Sequence, residues 1–372
     1  MSTNGNGWIN NRSLESATAH GEEDPLLGRD GDDEKHPSRD GTASAFAVGG
    51  LIWTIIVVQA VVRWILSDDF GAPKIDKTDE IPNWNLVMLR IFEASSVGVL
   101  LAHVWFCILL PVYPGLRQFR LTAERGQFSL DGRHVLGGLL AVFADGFLNG
   151  QGYIFHFNQY SVNIGVWSHF MPFHNPQTSS KYAESILWGM YVLHPFTVSS
   201  CNMLIDDRPM YIYFCAGFGI IGCGFATKIR NRFPQLTNAG VFTLVWIIEY
   251  VIDFSIENIV IRLTRAYGFG VTYAPLTLWA GTWYQFPIYE SAFVATLGCC
   301  FTAMRLKAYD AGMSPIERGY HHWPRAMHGT IRTFAVIGFC AACVIVFYHL
   351  PLTWFGMMGK SVADMPSYMA AL

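Results

Sequence analysis

Long apolar stretches recur along the chain and are separated by short polar or basic segments. An α-helix needs about 20 apolar residues to cross the hydrocarbon core of a bilayer, and eight of the stretches come near that length. They lie at about residues 44–66, 86–112, 134–150, 182–203, 211–227, 238–262, 286–304 and 330–350. Two further aromatic stretches, 152–170 and 271–286, fit a spanning helix less clearly. The pattern predicts an all-α fold, a polytopic transmembrane helical bundle of about eight helices, with seven to nine compatible with the pattern.

The composition agrees with a membrane protein. Hydrophobic residues make up 52% of the 372 residues and charged residues only 14%, whereas soluble domains carry about 25% charged residues. The formal net charge of −3 gives no sign of a nucleic-acid partner. The eight cysteines show no CxxC pair or Cys/His spacing, which argues against a disulfide framework or a zinc site.

Composition also divides the chain into three regions. Residues 1–42 are polar and acidic with few aromatic residues, so we expect a disordered cytosolic tail. Residues 43–355 hold the apolar stretches and form the predicted membrane-embedded helical domain. Residues 356–372 are a short C-terminal tail.

Basic residues indicate which loops face the cytosol. They cluster at 117–133, 228–232 and 305–332, and cytosolic loops of membrane proteins are enriched in lysine and arginine. If all three loops are cytosolic, the 152–170 stretch enters or crosses the membrane and 271–286 does not span it. We therefore expect a cytosolic N-terminus and a partly immersed aromatic hairpin around 152–175.

Three acidic residues interrupt the apolar stretch at 238–262. Glu249, Asp253 and Glu257 follow one another at four-residue spacing, which places them on one helix face. Ionisable groups at membrane depth are costly and usually mark a functional cavity. Adjacent carboxylates in a low dielectric cannot all stay ionised, so one is expected to hold a proton as a general acid beside an ionised general base. The alternative is a set of buried salt bridges, for instance between Glu257 and Arg262.

A second polar cluster lies between residues 144 and 176. Asp145 and Asn149 are four residues apart and share a helix face. The polar and aromatic residues that follow suit a pocket for a polyoxygenated or polyunsaturated molecule; they are His156, Asn158, Tyr160, Asn163 and Trp167. The alternative is an aromatic segment at the membrane surface. The histidines lack the spacing of metal ligands, and no metal is predicted.

Four further polar residues fall inside or at the edge of apolar stretches. Glu93, His103 and His194 are candidates for the same pocket, although Glu93 can simply pair with Arg90 three residues earlier. Glu290 lies near the start of a stretch, a position compatible with the membrane interface. No phosphate-binding loop, nucleophile elbow or dinucleotide fingerprint is present in the sequence, so cofactor chemistry has no support.

The chain resembles the AveC-like spirocyclases, polytopic membrane proteins associated with closing spiroketals in polyketides. The resemblance covers about residues 85–320. It rests on Asp145–Asn149 running into the Asn-rich aromatic segment up to Trp167 and Pro172, and on the 286–319 element with Asp310, Gly312 and Glu317-Arg318-Gly319. The acidic tail is atypical of bacterial members and suggests a eukaryotic relative, in the endoplasmic reticulum or another endomembrane.

The resemblance implies a cyclase without a cofactor that closes a spiroketal-type ring in a polyketide-like precursor. Asp253 with Glu249 and Glu257 is then the expected acid/base set, with Asp145 and His194 as second choices. The expected partners are a hydrophobic small-molecule substrate and the lipid bilayer. A carbocation-type terpene or meroterpenoid cyclase would use the same residues. A proton-coupled membrane carrier and a non-catalytic receptor or scaffold remain open as other classes.

Overall fold

Helices dominate the structure, as the apolar stretches predicted. The computed structural model describes residues 40–68, 70–71, 79–109, 127–144, 154–162, 165–172 and 213–369. The α-helices of this part of the chain are α1 (Thr42–Ile65), α2 (Asn83–His103), α3 (Leu130–Ala141), α4 (Phe218–Arg232), α5 (Asn238–Thr264), α6 (Ile288–Ala311), α7 (His328–Val344) and α8 (Leu350–Met357). π-helical turns extend α2 through Val104–Leu109, precede α4 at Tyr213–Gly217 and join α7 to α8 at Ile345–His349.

Four helical stretches among the described residues are long and apolar enough to cross a membrane. They are Thr42–Ile65, Asn83–Leu109, Asn238–Thr264 and Arg325–Met357, and they match four of the predicted spans. The predicted span 182–203 lies outside the described residues, as does the tail up to residue 39. These helices are consistent with a membrane protein, while the side on which each loop lies stays a prediction.

Helix α3 is shorter than the span predicted at 134–150. It begins after Ser129, whose side chain accepts a hydrogen bond from the Gly132 backbone N–H, and it ends at Ala141. Its first turns hold buried charged residues: Asp131 accepts two hydrogen bonds from Arg305 of α6, at 2.9 and 3.1 Å. The apolar pattern placed this start four residues too late, because charged residues mark the boundary of an apolar stretch.

Helices α1 and α7 pack with their backbones in contact at two glycines. A Cβ atom on Gly50 would overlap the Phe334 carbonyl group, and one on Gly338 would overlap that of Phe46. Such close approach between small residues is typical of helix packing in membranes. The opposite face of α1 leaves apolar side chains exposed, namely Leu51, Ile55, Val58 and Val62, as expected for a surface that contacts lipid.

Glu317 closes the end of the bundle beside α3 and α7. Its carboxylate, fully buried, pairs with Arg133 and with Arg332, the latter at 2.8 Å, and accepts a hydrogen bond from Ser314. Gly319 follows with a positive φ of 83°. The Glu317-Arg318-Gly319 motif in this structure therefore serves packing and turn geometry.

Short strands connect the helices. Phe155–Phe157 (β1) pairs antiparallel with Tyr267–Phe269 (β2), a partner outside the predicted 152–175 hairpin, and the immersion of that hairpin in the membrane stays a prediction. Val271–Thr272 (β3) pairs with Lys360–Ser361 (β6), and Thr277–Leu278 (β4) with Phe286–Pro287 (β5). The β1–β2 pairing is stabilised by cross-strand aromatic contacts such as Phe155–Phe269, 5.0 Å between ring centroids, which no local pattern reveals.

Candidate functional site

Helix α5 carries an acidic face inward and an apolar face outward. Glu249 and Asp253 are buried, at 2% and 6% exposure, and Glu257 is half-buried. On the opposite side of the helix, Ile247 and Val251 are about half exposed, at 46% and 53%. The four-residue spacing thus predicted the shared, inward-facing stripe.

A fourth acid joins the stripe from another helix. Glu290, in the first turn of α6, is fully buried. One carboxyl oxygen from each of Asp253, Glu257 and Glu290 lies within 4.8 Å of the others. We call these three residues the acidic triad. The sequence did not assign Glu290 to the site and left it compatible with the membrane interface; the available signal was a lone acid at the start of an otherwise apolar stretch.

Two tyrosine hydroxyl groups hold two members of the triad. Tyr267 of β2 donates a hydrogen bond to Glu257 Oε1, and Tyr348 donates one to Glu290 Oε1 at 2.9 Å. Tyr348 lies in the π-helical turn that joins α7 to α8. Burial, together with the nearby Glu257 carboxylate, raises the pKa of Tyr267 well above its usual value, so this hydroxyl remains a neutral donor.

The second carboxyl oxygens of the triad form no well-oriented hydrogen bond among the described residues, although Ser291 lies near Asp253 and Glu290 lies near both Asp253 and Glu257. They are Asp253 Oδ2, Glu257 Oε2 and Glu290 Oε2, and all three are inaccessible to solvent. Buried polar atoms are normally satisfied, and an unsatisfied acceptor costs about 1–3 kcal/mol. The arrangement therefore presents three acceptors that a proton or a polar ligand atom can satisfy.

No basic side chain in the described part of the chain forms an ion pair with the triad or with Glu249. The pairing of Glu257 with Arg262, considered as an alternative from the sequence, is wrong. Arg262 donates to Asn258 Oδ1 at 2.7 Å, and its guanidinium carbon lies 4.2 Å from the centroid of the Trp279 ring. Neither Arg262 nor another described basic side chain therefore neutralises the acidic face by a direct ion pair.

Glu249 sits apart from the triad in a slot lined by two glycines. A Cβ atom on Gly222 of α4 would lie 2.7 Å from Glu249 Oε1, and one on Gly298 of α6 would overlap Glu249 Oε2. Thr302 Oγ1 donates a hydrogen bond to Glu249 Oε1 at 3.4 Å. The carboxyl group of Glu249 is thus held by close packing of α4 and α6.

The described residues of the second predicted cluster hold the strands together. Asn158 Nδ2 donates to the Arg265 carbonyl oxygen at 2.7 Å, and its Oδ1 accepts from the Tyr160 backbone N–H at 2.8 Å. The Trp167 ring contacts Phe143 at 4.9 Å. Burial lowers the pKa of His156 to about 4, so its ring is neutral near pH 7. Since β1 pairs with β2, this cluster supports the strand that carries Tyr267.

The remaining predicted residues divide into two groups. Glu93 pairs with Arg90, as the alternative allowed, and also accepts a hydrogen bond from the Val162 backbone N–H at 2.7 Å. His103 Nδ1 lies 3.1 Å from the Val99 carbonyl oxygen. The others fall outside the described residues: Asp145, Asn149, Asn163 and His194.

The triad has two chemical capacities. Carboxyl groups that share protons in a low dielectric can act as acid and base. Three carboxylate oxygens within 4.8 Å could also coordinate one hard divalent cation such as Mg²⁺ or Ca²⁺. The described histidines and cysteines form no comparable group with three ligand atoms.

Comparison with known proteins identifies the family. Residues 127–367 match the family model described as "Spirocyclase AveC-like". This match covers more than half of the chain and includes helices α3 to α8, and therefore the whole triad. Searches of curated proteins and of solved structures gave no match. The chain therefore belongs to the AveC-like spirocyclase family, as its resemblance predicted, which makes it a cyclase of natural-product biosynthesis.

Proposed function

We propose that this protein closes a spiroketal-type ring in a polyketide-like precursor, by acid/base chemistry at the acidic triad and without a cofactor. The observation that carries the proposal is the meeting of Asp253, Glu257 and Glu290 with no basic partner among the described residues. Membership of the spirocyclase family supports the class of reaction.

The proposed reaction converts a dihydroxyketone into a spiroketal and one water molecule. One hydroxyl group adds to the ketone and gives a hemiketal. An acid then protonates the hemiketal hydroxyl. The C–O bond breaks, water departs, and an oxocarbenium ion forms. The second hydroxyl attacks this carbon and gives its proton to a base. One proton is released and one is taken up, so the triad is restored once that proton passes back to the acid.

The tyrosine contacts suggest how the roles divide. A hydroxyl donor stabilises the ionised form of a carboxyl group, and Glu257 and Glu290 each accept one from a tyrosine. Asp253 has no tyrosine donor in the described structure; its nearest hydrogen-bonding groups are the Ser291 hydroxyl and the Glu290 carboxyl, which can accept the Asp253 proton. We therefore propose Asp253 as the acid, and Glu257 and Glu290 as the base and the stabilising charge.

Aromatic rings surround the elements that carry the triad. The ring of Phe254, next to Asp253, lies 5.4 Å from that of Phe286, which in turn lies 5.5 Å from Phe269. Carboxylates and aromatic faces both stabilise a cationic transition state. Glu257 is the more exposed member of the triad, and we propose that the substrate enters on its side.

Glu249 has a different role in this proposal. Its slot between Gly222 and Gly298 leaves the two glycine backbones against its oxygens. We propose that Glu249 does not contact the substrate. It affects the reaction only by changing the protonation of Asp253, which lies one helical turn away.

The test is turnover by the purified full-length chain in detergent, given synthetic dihydroxyketones and no added cofactor. The proposal predicts formation of a spiroketal with one preferred configuration and loss of one water. Epoxide-bearing terpenoid precursors, supplied in parallel, distinguish the related carbocation reaction. Failure to cyclise any dihydroxyketone while cyclising a terpenoid precursor would contradict the spiroketal assignment.

A further inference from the structure

A groove runs along the outer face of α5, separate from the acidic triad. Its volume is about 360 Å³, and it is lined by Phe254, Asn258, Ile259, Arg262, Leu263 and Trp279. Phe254 and Asn258 each follow a triad residue by one position, which turns them by about 100° around the helix axis. The groove is therefore a second feature of α5; it shares Phe254 with the aromatic rings near the triad, but its proposed ligand does not depend on the proposed cyclisation.

Arg262 gives the groove a positive charge, and its partners among the described residues are neutral. Its Nη1 atom donates to Asn258 Oδ1 at 2.7 Å and to the Asn258 carbonyl oxygen at 3.1 Å. Its guanidinium carbon lies 4.2 Å from the Trp279 ring centroid and 5.2 Å from that of Tyr284. No described carboxylate pairs with Arg262. A partly buried guanidinium of this kind favours an anionic ligand, above all a phosphate or carboxylate.

The remaining lining is apolar and extends along the helix axis. Phe254 lies eight residues before Arg262, which corresponds to about 12 Å of helix. Arg262 lies in the last turn of α5, a helix long and apolar enough to span a membrane. Ile259 and Trp279 are 44% and 48% exposed. In a membrane, the groove would run from headgroup depth, where tryptophan and arginine concentrate, towards the acyl chains.

We propose that this groove binds an anionic phospholipid of the surrounding bilayer. The phosphate accepts hydrogen bonds from Arg262, and an acyl chain lies along Phe254 and Ile259. A free anion would satisfy the charge of Arg262 but would leave the apolar part of the groove empty. One cation at the end of about 12 Å of apolar groove matches a ligand that has both an anionic head and an apolar chain.

Arg63 provides a matched control within the same chain. It too lies in the last turn of a candidate spanning helix, α1, and its guanidinium carbon lies 5.4 Å from the Phe170 ring centroid. It does not line the groove. A variant at Arg63 therefore removes the same charge from a helix end without changing the proposed site.

The experiment is native mass spectrometry of the full-length chain released from nanodiscs that hold equal amounts of phosphatidylglycerol and phosphatidylcholine. We expect wild type to retain one phosphatidylglycerol. Arg262→Gln should reduce its retention about fivefold, the effect of one basic group near an anionic lipid, and Arg63→Gln should leave it unchanged. Ile259→Trp, at an exposed position, fills the apolar part while keeping Arg262 and should also reduce retention.

Three results would overturn the proposal. Equal retention by wild type and Arg262→Gln would show that Arg262 binds no headgroup. An equal loss in Arg63→Gln would indicate general electrostatic attraction. Displacement of the lipid by inorganic phosphate alone, with Ile259→Trp behaving as wild type, would indicate an anion site without a lipid chain. Thermal unfolding of each variant checks that the fold is intact.

Discussion

The carboxyl groups of Asp253 and Glu290 lie within 4.8 Å of each other although they belong to different helices, α5 and α6. Glu257 completes the group, and Tyr267 and Tyr348 hold two of its members.

Asp253→Asn should remove the proposed acid and lower kcat by about 10²–10⁴-fold, the usual contribution of general acid catalysis. The asparagine keeps the size of the side chain, so thermal unfolding should change little. Glu249→Gln is the matched control on the same helix face, and we expect it to lower kcat less than tenfold, about 1.4 kcal/mol. Equal losses in the two variants would show that the stripe acts as one structural unit.

Tyr267→Phe removes the hydroxyl donor to Glu257 and leaves the ring that packs in β2. Hydrogen bonds to charged groups contribute about 1.5–3 kcal/mol, so we expect kcat to fall by about 10- to 100-fold. KM should stay within a factor of two, about 0.4 kcal/mol, because the tyrosine positions Glu257 and is not proposed to contact the substrate. A raised KM at constant kcat would instead indicate that Tyr267 binds the substrate.

Gly298→Ala should destabilise the fold, since the added methyl group would overlap Glu249 Oε2. Overpacking of this kind costs about 1–3 kcal/mol. Gly224→Ala in α4 is the control because a Cβ atom there would meet no described atom within 4 Å, and in a helix it should be neutral or stabilising by up to about 1 kcal/mol. Melting temperatures in detergent compare the two. Similar values would contradict the tight slot around Glu249.

Glu317→Gln should be among the most destabilising single changes. It leaves the buried Arg133 and Arg332 without their shared carboxylate, and breaking a buried ion pair costs about 3–5 kcal/mol. Asp310→Asn removes an acid whose pair with Arg230 is exposed, and such pairs contribute about 0–1 kcal/mol. Equal melting temperatures for the two variants would show that the buried network does not stabilise the end of the bundle.

The sequence revealed the parts of the site that follow from local geometry. The stripe on α5 needs only the helical repeat, and the burial of Glu249 and Asp253 follows from the apolar residues around them. Glu290, Tyr267 and Tyr348 could not be found this way, because their meeting depends on the packing of α5, α6 and α7 and on a π-helical turn.

Arg262 shows a second limit of sequence reasoning. Its long side chain can reach several partners on its own helix, and charge alone suggested Glu257. The structure pairs it instead with Asn258 and the Trp279 ring, because the loop after β4 brings that tryptophan over the helix end. The pairing of β1 with β2 is likewise non-local, so the 152–175 segment alone could not predict it.

The most direct test of the central claim is cyclisation by chelator-treated wild type and by Glu290→Gln, with Asp310→Asn as an exposed-acid control. The account predicts that a chelator leaves wild-type turnover unchanged, that Asp310→Asn matches wild type, and that Glu290→Gln loses at least about 100-fold, the lower end of an acid/base contribution. Full activity in Glu290→Gln would contradict a catalytic triad. Loss of wild-type activity on chelation, restored by Mg²⁺ or Ca²⁺, would show that the three carboxylates hold a metal ion and would contradict cofactor-free catalysis.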